Sequence, residues 1–158
     1  MGLPVVELDA INWQAGWHDL NSHDPETFVA RVAAAIGGET WVTDGNYARV
    51  RPLILARATD VVWLDYGKAR VMARVIRRSF GRAIFRHELW PGTGNVEHFS
   101  RWLSADHPIR WAWSTFARRR GQYAAMMAAL PAGVTVHHLR HPREADALVG
   151  SLAAPAML

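Results

Sequence analysis

The sequence predicts an α/β fold built on a mostly parallel sheet, and three observations carry that expectation. Four short apolar runs of strand length, PVVELD (4–9), WVTD (41–44), DVVWLD (60–65) and VTVHHLR (134–140), are rich in β-branched and aromatic residues. Stretches of helical periodicity lie between them. Three of the four runs end at an aspartate. Strands that alternate with helices are joined by crossovers and pair in parallel, and in such sheets ligands bind outside the carboxyl ends of the strands.

Taken in order, 4–9 is the first expected strand, ending at Asp9. Asp24-Pro25-Glu26 reads as an N-cap followed by proline at the first helical position, where its missing N–H has no partner to lose. Phe28, Val29, Val32, Ala33 and Ile36 form one apolar face of that helix, and Gly37-Gly38 stops it. The second strand, 41–44, runs into the turn Asp44-Gly45-Asn46-Tyr47, with Arg49 and Arg51 just beyond. The third, 60–65, precedes an amphipathic helix at 68–80. That helix has Val71, Met72, Val75 and Ile76 on one side, and Arg70, Arg74, Arg77 and Arg78 on the other.

Residues 108–130 read as a long core-packed helix, with Ile109, Trp113, Phe116, Tyr123, Met127 and Leu130 recurring every three or four positions. Gly121 sits inside it at some cost relative to alanine. The fourth strand, 134–140, leads to a last helix after Pro142, whose apolar face is Ala145, Leu148, Val149 and Leu152. Residues 81–107 interrupt the rhythm with glycines, mixed charge and one expected short helix at 96–104. A lid over a phosphate site and an ordinary surface excursion would both read this way. No repeat, low-complexity tract or linker divides the chain, so a single domain over 1–158 is expected.

The 158 residues are half apolar, enough to bury a core and contrary to a disordered composition. There is no cysteine, which excludes a disulfide framework and a thiolate metal site and fits a reducing compartment. The opening MGLPVVELDAINW reaches Glu7 with no basic region ahead of a long apolar core, so no signal peptide is expected. No run approaches the ~20 apolar residues of a membrane span. A soluble, cytoplasmic protein is expected. Lys68 is the sole lysine among 18 basic residues, the rest being arginine. Arginine's planar fork suits bidentate recognition of phosphate or carboxylate. Codon usage in a GC-rich genome would enrich arginine equally, so placement has to carry the argument. An aspartate after a strand commonly caps the next turn or helix. Asp9, Asp44 and Asp65 at one edge of a sheet, with Arg140 and other arginines near, favour a site.

The series PVVELDAINW, WVTDGNY followed by Arg49, ATDVVWLD, a helix carrying R-x-x-x-R-x-x-R-R at 70–78, and the closing LRHPREADALVGSL spans residues 3–152. In this order it resembles the adenylate-kinase-related P-loop proteins of the topology modulation type. The resemblance implies a P-loop kinase-like parallel sheet with helices on both faces. It also implies ATP and Mg²⁺ as cofactors, and phosphoryl transfer to a small acceptor such as a nucleoside or nucleotide. On the same basis Asp44 would support Mg²⁺, through water. Asp9, Gly45, Asn46, Tyr47 and Arg49 would lie on the acceptor and nucleotide side. Arg74, Arg77 and Arg78 would neutralise charge on the transferring phosphoryl group, and Arg140 would lie near the base. Asp65 reads as a helix cap.

The chain departs from that pattern in one respect. It has no G-x-x-x-x-G-K-[ST], the loop whose backbone N–H groups and lysine hold the phosphates. Lys68 follows Gly67, but Ala69 stands where Ser or Thr belongs and Val62 where the first glycine belongs. The family's first strand, phosphate loop and first helix would precede Gly2, with the absent strand between those corresponding to 41–44 and 60–65. The reading frame is therefore expected to continue upstream of Met1. The 158-residue chain is expected to be inactive in phosphoryl transfer, which would lack its main positioning element.

Two other chemistries are weighed. His137, His138 and His141 invite a metal reading, but adjacent strand residues point to opposite faces, so His137 and His138 cannot share an ion. RWAWSTFARRR (110–120) mixes arginine with aromatics as nucleic-acid-binding surfaces do. A non-catalytic nucleic-acid-binding or regulatory module is therefore the alternative function.

Overall fold

The computed structural model describes residues 2–102 and 107–153. They are mixed α/β, with small parallel sheets and helices, and divide into two compact units: 2–58 with 87–97, and 59–86 with the described residues from 98 onward.

In the first unit β1 (Val5–Glu7) pairs in parallel with β4 (Val42–Asp44), placing Val5 beside Val42 and Glu7 beside Asp44. Between them come α1 (Leu8–Asn12), a two-residue antiparallel ladder of β2 (Trp13–Gln14) and β3 (His18–Asp19), α2 (Leu20–His23) and α3 (Pro25–Ala35). A short α4 (Arg51–Leu55) follows β4. Helix α3 begins as its sequence dictates: Asp24 accepts the Thr27 backbone N–H at 3.1 Å and Pro25 fills the first position. Its stripe of Phe28, Val32 and Ile36 packs with Val6, Leu8, Leu20 and Val50 into the core of this unit.

In the second unit β5 (Asp60–Leu64) and β6 (Thr135–Leu139) pair in parallel, with Trp63 beside His138 and Leu64 beside Leu139. Around this pair come α5 (Lys68–Phe85), a 3-10 turn (Phe99–Arg101), α6 (Pro108–Ala128) and α7 (Pro142–Ala153). Helices α5 and α6 pack together and bury mainly small residues, Ser79 and Ala83 from one and Ala112 and Thr115 from the other, with Met72.

The structure corrects several expectations. The first strand ends at Glu7, and Asp9 lies in the first turn of α1. The helical turn brings Leu8 and Asn12, four residues apart, to one buried face, and a carboxylate in a first turn is favoured by the helix dipole. Helix α5 runs past 80 to Phe85, because nothing in 81–85 breaks it, and ends where Arg86 adopts a left-handed conformation with φ 48°. Residues 87–97 pack within the first unit instead: Asn95 is buried, donates from Nδ2 to the Gln14 carbonyl at 2.8 Å and accepts the Trp17 N–H at 2.9 Å. The helix expected at 96–104 is a single 3-10 turn, Phe99–Arg101, and 103–104 lie outside the described residues.

Trp113 is not a core residue. It is 62% exposed, with the Lys68 ammonium 3.5 Å from its ring centre. Burying the small Ala112 and Thr115 for close contact with α5 turns Trp113 outward. No helix among the described residues is long and apolar enough to cross a membrane.

Candidate functional site

The carboxyl ends of β1 and β4 bring carboxylates together. The parallel register sets Glu7 beside Asp44, and the first turn of α1 adds Asp9. Partial burial, followed by the charges of Glu7 and Asp9, holds the Asp44 carboxyl above the usual carboxylate range. Tyr47 packs its ring 5.0 Å from that of Phe28, a fixed point in the core, and its hydroxyl donates to Asp9 Oδ1 at 2.6 Å. Burial and this bond push the phenol far above its ordinary range, so Tyr47 is a permanent donor.

The turn between Asp44 and Tyr47 requires its glycine. Gly45 has φ +98°, and a Cβ there would stand 3.0 Å from Leu8 Cβ. Asn46 Oδ1 accepts from Arg51 Nε at 2.9 Å, whereas Arg49 reaches Asn21 Oδ1 at 3.4 Å. Asn12 is fully buried; its Oδ1 accepts the Asn21 N–H, and its side chain adjoins Asp19 and Tyr47. The structure thus gathers Asp9, Asp44, Gly45, Asn46, Tyr47 and Arg49 on one unit. Sequence reasoning missed two neighbours there, Glu7 and Asn12, and named Arg51 beside the turn without giving it a role.

The remaining expected site residues lie on the other unit. Arg74 and Arg78 line a shallow groove of ≈ 370 Å³ beside Leu64 and Tyr66, with the Arg74 guanidinium 5.0 Å over the Tyr66 ring. Arg77 is exposed and lines no part of it. Arg140 lines a separate cavity, ≈ 500 Å³, between the β5–β6 pair and α6.

At this second cavity the reading of Asp65 as a helix cap fails. Gly67 occupies the cap position of α5, and Asp65 is buried. Arg120 grips it with both arms of its fork, Nε to Oδ1 at 2.7 Å and Nη2 to Oδ2 at 3.0 Å, while His138 Nε2 meets Oδ2 at 2.9 Å. Arg120 foremost, then the His138 bond, keep the Asp65 carboxyl below its usual range, although burial works the other way. An ionised carboxylate only accepts, so Nε2 of His138 is the donor. His137 turns to the opposite face and meets Asp60 Oδ1 at 2.8 Å, as strand alternation requires. Alternation could have placed Trp63, Asp65 and His138 on one face; the missing signal was the register between 60–64 and 135–139.

Among the described residues no three His, Asp or Glu side chains are grouped so as to hold a metal ion by themselves. Compared with protein-family models, with curated proteins and with solved structures, the chain shows no significant match.

Proposed function

We propose that the chain is a nucleotide-handling protein of P-loop kinase-like fold, in which Asp44 of the first unit is the metal-side carboxylate; the phosphate-facing roles of Arg74, Arg77 and Arg78 in the second unit rest on the resemblance alone. The carrying observation is the acidic end of a parallel strand pair, where Asp44 stands beside Glu7 and near Asp9 with its carboxyl held above the usual range. Repulsion of that kind is relieved by a cation. Mg²⁺ keeps several waters and commonly takes only one or two protein carboxylates with the rest from phosphate, which fits Asp44 acting through water.

A second support is that β4 and β5 are each paired along one edge only among the described residues, and the resemblance calls for a further neighbour on both. The triphosphate does not fit equally well: no G-x-x-x-x-G-K-[ST] is present to hold it. No transfer step is therefore assigned to the 158-residue chain, and weak or absent Mg-ATP binding is expected of it. A cytosolic location belongs to this reading and accords with the absence of cysteine.

The test is paramagnetic. Mn²⁺ should broaden the amide resonances of Asp44, Gly45 and Glu7, and Asp44→Asn should remove the effect. Broadening elsewhere only, or broadening unchanged in the variant, would overturn the metal role. Micromolar Mg-ATP affinity by calorimetry would overturn the expectation of inactivity.

One observation favours the alternative of a nucleic-acid surface. Trp111 and Trp113 are 43% and 62% exposed on α6, each with a cation over its ring, Arg119 and Lys68 respectively. Strongly salt-dependent binding of single-stranded oligonucleotides, lost on Trp113→Ala, would favour that reading over the first.

A further inference from the structure

We infer that the cavity between α6 and the β5–β6 pair binds a small planar anion: an aromatic or heteroaromatic ring carrying one carboxylate or phosphate group. The cavity is an open groove of ≈ 500 Å³, wide enough to seat a single ring against one wall. Its walls and its charged groups point to the two halves of such a ligand.

The wall is flat and aromatic. Trp63 from β5 and Phe116 from α6 line it, and His138 lies against Trp63 with ring centres 4.2 Å apart and planes 6° from parallel. That stack fixes both rings, and the Asp65 bond fixes the imidazole's orientation a second time. A rigid aromatic surface favours a planar partner, because stacking then requires no ordering of the wall.

The charge is cationic once its pairs are counted. Asp65 is no ligand group: Oδ1 serves Arg120, and Oδ2 serves both Arg120 and His138. It positions Arg120, whose Nη1 edge makes no bond among the described residues. Arg140 completes the lining; its backbone N–H donates to Glu144 Oε2 at 2.6 Å, but its guanidinium has no hydrogen-bond partner among the described residues. Asp65 and Arg120 neutralise one another, and Arg140, beside the Glu144 carboxylate that accepts its backbone N–H, is the remaining cation among the lining residues. One positive charge, with donors from two guanidinium groups, matches a singly charged carboxylate more closely than a phosphate monoester, which carries about −1.5 to −2 at neutral pH.

Gly121 lies within the 21-residue helix α6 and lines the cavity. Glycine is unfavourable there relative to alanine, and no packing need explains it, since a Cβ at Gly121 would meet nothing within 4 Å. A glycine there leaves this stretch of the wall without a side chain, as Gly81 and Gly150 do on other helix surfaces.

This inference uses no residue of the acidic strand ends; it shares only Arg140 with the kinase-like reading, which would place that residue near the base. Its test is calorimetric titration of the 158-residue chain with benzoate, phenyl phosphate and inorganic phosphate, together with chemical-shift mapping of the Trp63 indole and the His138 ring. At least one ring-bearing anion should bind at millimolar concentration or tighter and shift both signals, with inorganic phosphate about tenfold weaker. The tighter of the two ring-bearing probes identifies the anion. Arg140→Gln should weaken binding about tenfold, the loss of one charge-assisted bond, and Gly121→Leu, which puts a side chain on the groove wall, should weaken it as well. Arg140 is exposed and makes no side-chain bond, so its variant will fold even if Gly121→Leu does not. No binding by either ring-bearing anion, binding of inorganic phosphate alone at equal strength, or affinities unchanged by Arg140→Gln would each overturn the assignment.

Discussion

Gly45→Ala is the sharpest probe of how the acidic turn is built. Two terms act against the alanine. Gly45 has φ +98°, and an L-residue held in the left-handed region costs about 1–2 kcal/mol. The new Cβ would also stand 3.0 Å from Leu8 Cβ, and Leu8 is fully buried in the core, so it cannot swing aside. Overpacking of this kind costs about 1–3 kcal/mol. Alanine's lower entropy in the unfolded chain returns about 0.4–1 kcal/mol. The net expectation is a loss of about 3 kcal/mol, or roughly 15 °C in Tm for a unit of this size.

Gly16→Ala is the control in the same unit. Its φ is +68° but a Cβ there would meet nothing within 4 Å, so only the backbone term remains, about 1 kcal/mol. Urea denaturation of both variants separates the terms. In a Leu8→Ala background, which removes Cδ1 and Cγ at 3.4 and 3.5 Å but keeps the Cβ at 3.0 Å, the steric part of Gly45→Ala should ease without vanishing, a coupling visible in a double-mutant cycle. Equal losses for Gly45→Ala and Gly16→Ala, or no coupling to Leu8, would refute the close approach of the turn to the core.

Three further outcomes follow from the same geometry. Asp44→Asn should stabilise the protein at neutral pH by a few tenths of a kcal/mol, a small figure because the carboxyl is partly solvated. Its folded pKa is raised, so the penalty exists above that pKa and is relieved as pH falls through it; the variant's advantage should fade in melts below about pH 4. Asp65→Asn should behave oppositely. That carboxyl is held low by Arg120 and His138, so its contribution is present above the unfolded pKa and lost as pH falls through the folded one, and the variant's deficit should be largest at pH 7 and shrink in acid. Gly121→Ala, small enough to leave most of the cavity, should raise stability by about 0.5–1 kcal/mol through helix propensity; a loss would mean that the glycine serves the packing of α6.

The legible parts of the fold were those written in local chemistry. Asp24 and Pro25 announce α3 because an N-cap and an N1 proline satisfy one helix end without help from elsewhere. The four apolar runs all contain strands, and the glycine of the DGNY turn has the positive φ that glycine allows. What failed needed knowledge of neighbours. Asp9 reads as a strand end until Leu8 and Asn12 are seen sharing a buried face. Asp65 reads as a cap until the register sets β6 beside β5 and α6 supplies Arg120, 55 positions away. Trp113 reads as core because it is large and periodic, and faces outward because the α5–α6 contact is made by small residues. Helical and strand periods fix which residues share a face; they do not say which face the rest of the protein covers.

That distinction also separates the two proposed sites. Parallel strands are ordinarily covered on both faces, yet Val5 is 68% exposed on β1 and Leu64 51% on β5. Each pair also leaves edges without a ladder partner among the described residues. A charge or a proline usually blunts such an edge, and the middle of β5, Val61-Val62-Trp63, has neither. The kinase-like reading of Asp44 and the α5 arginines draws on this uncovered strand surface: it gives the open edges of β4 and β5 a reason, at the requirement of a phosphate loop that these 158 residues do not contain. The cavity under α6 has no such requirement. Its wall, its two guanidinium groups and the carboxylate that positions one of them all come from β5, β6, α6 and the residues adjoining the strands. Neutralising Arg140 should therefore weaken binding of a planar anion whether or not Asp44 ever meets a metal, and loss of Mn²⁺ broadening in Asp44→Asn should leave that binding untouched.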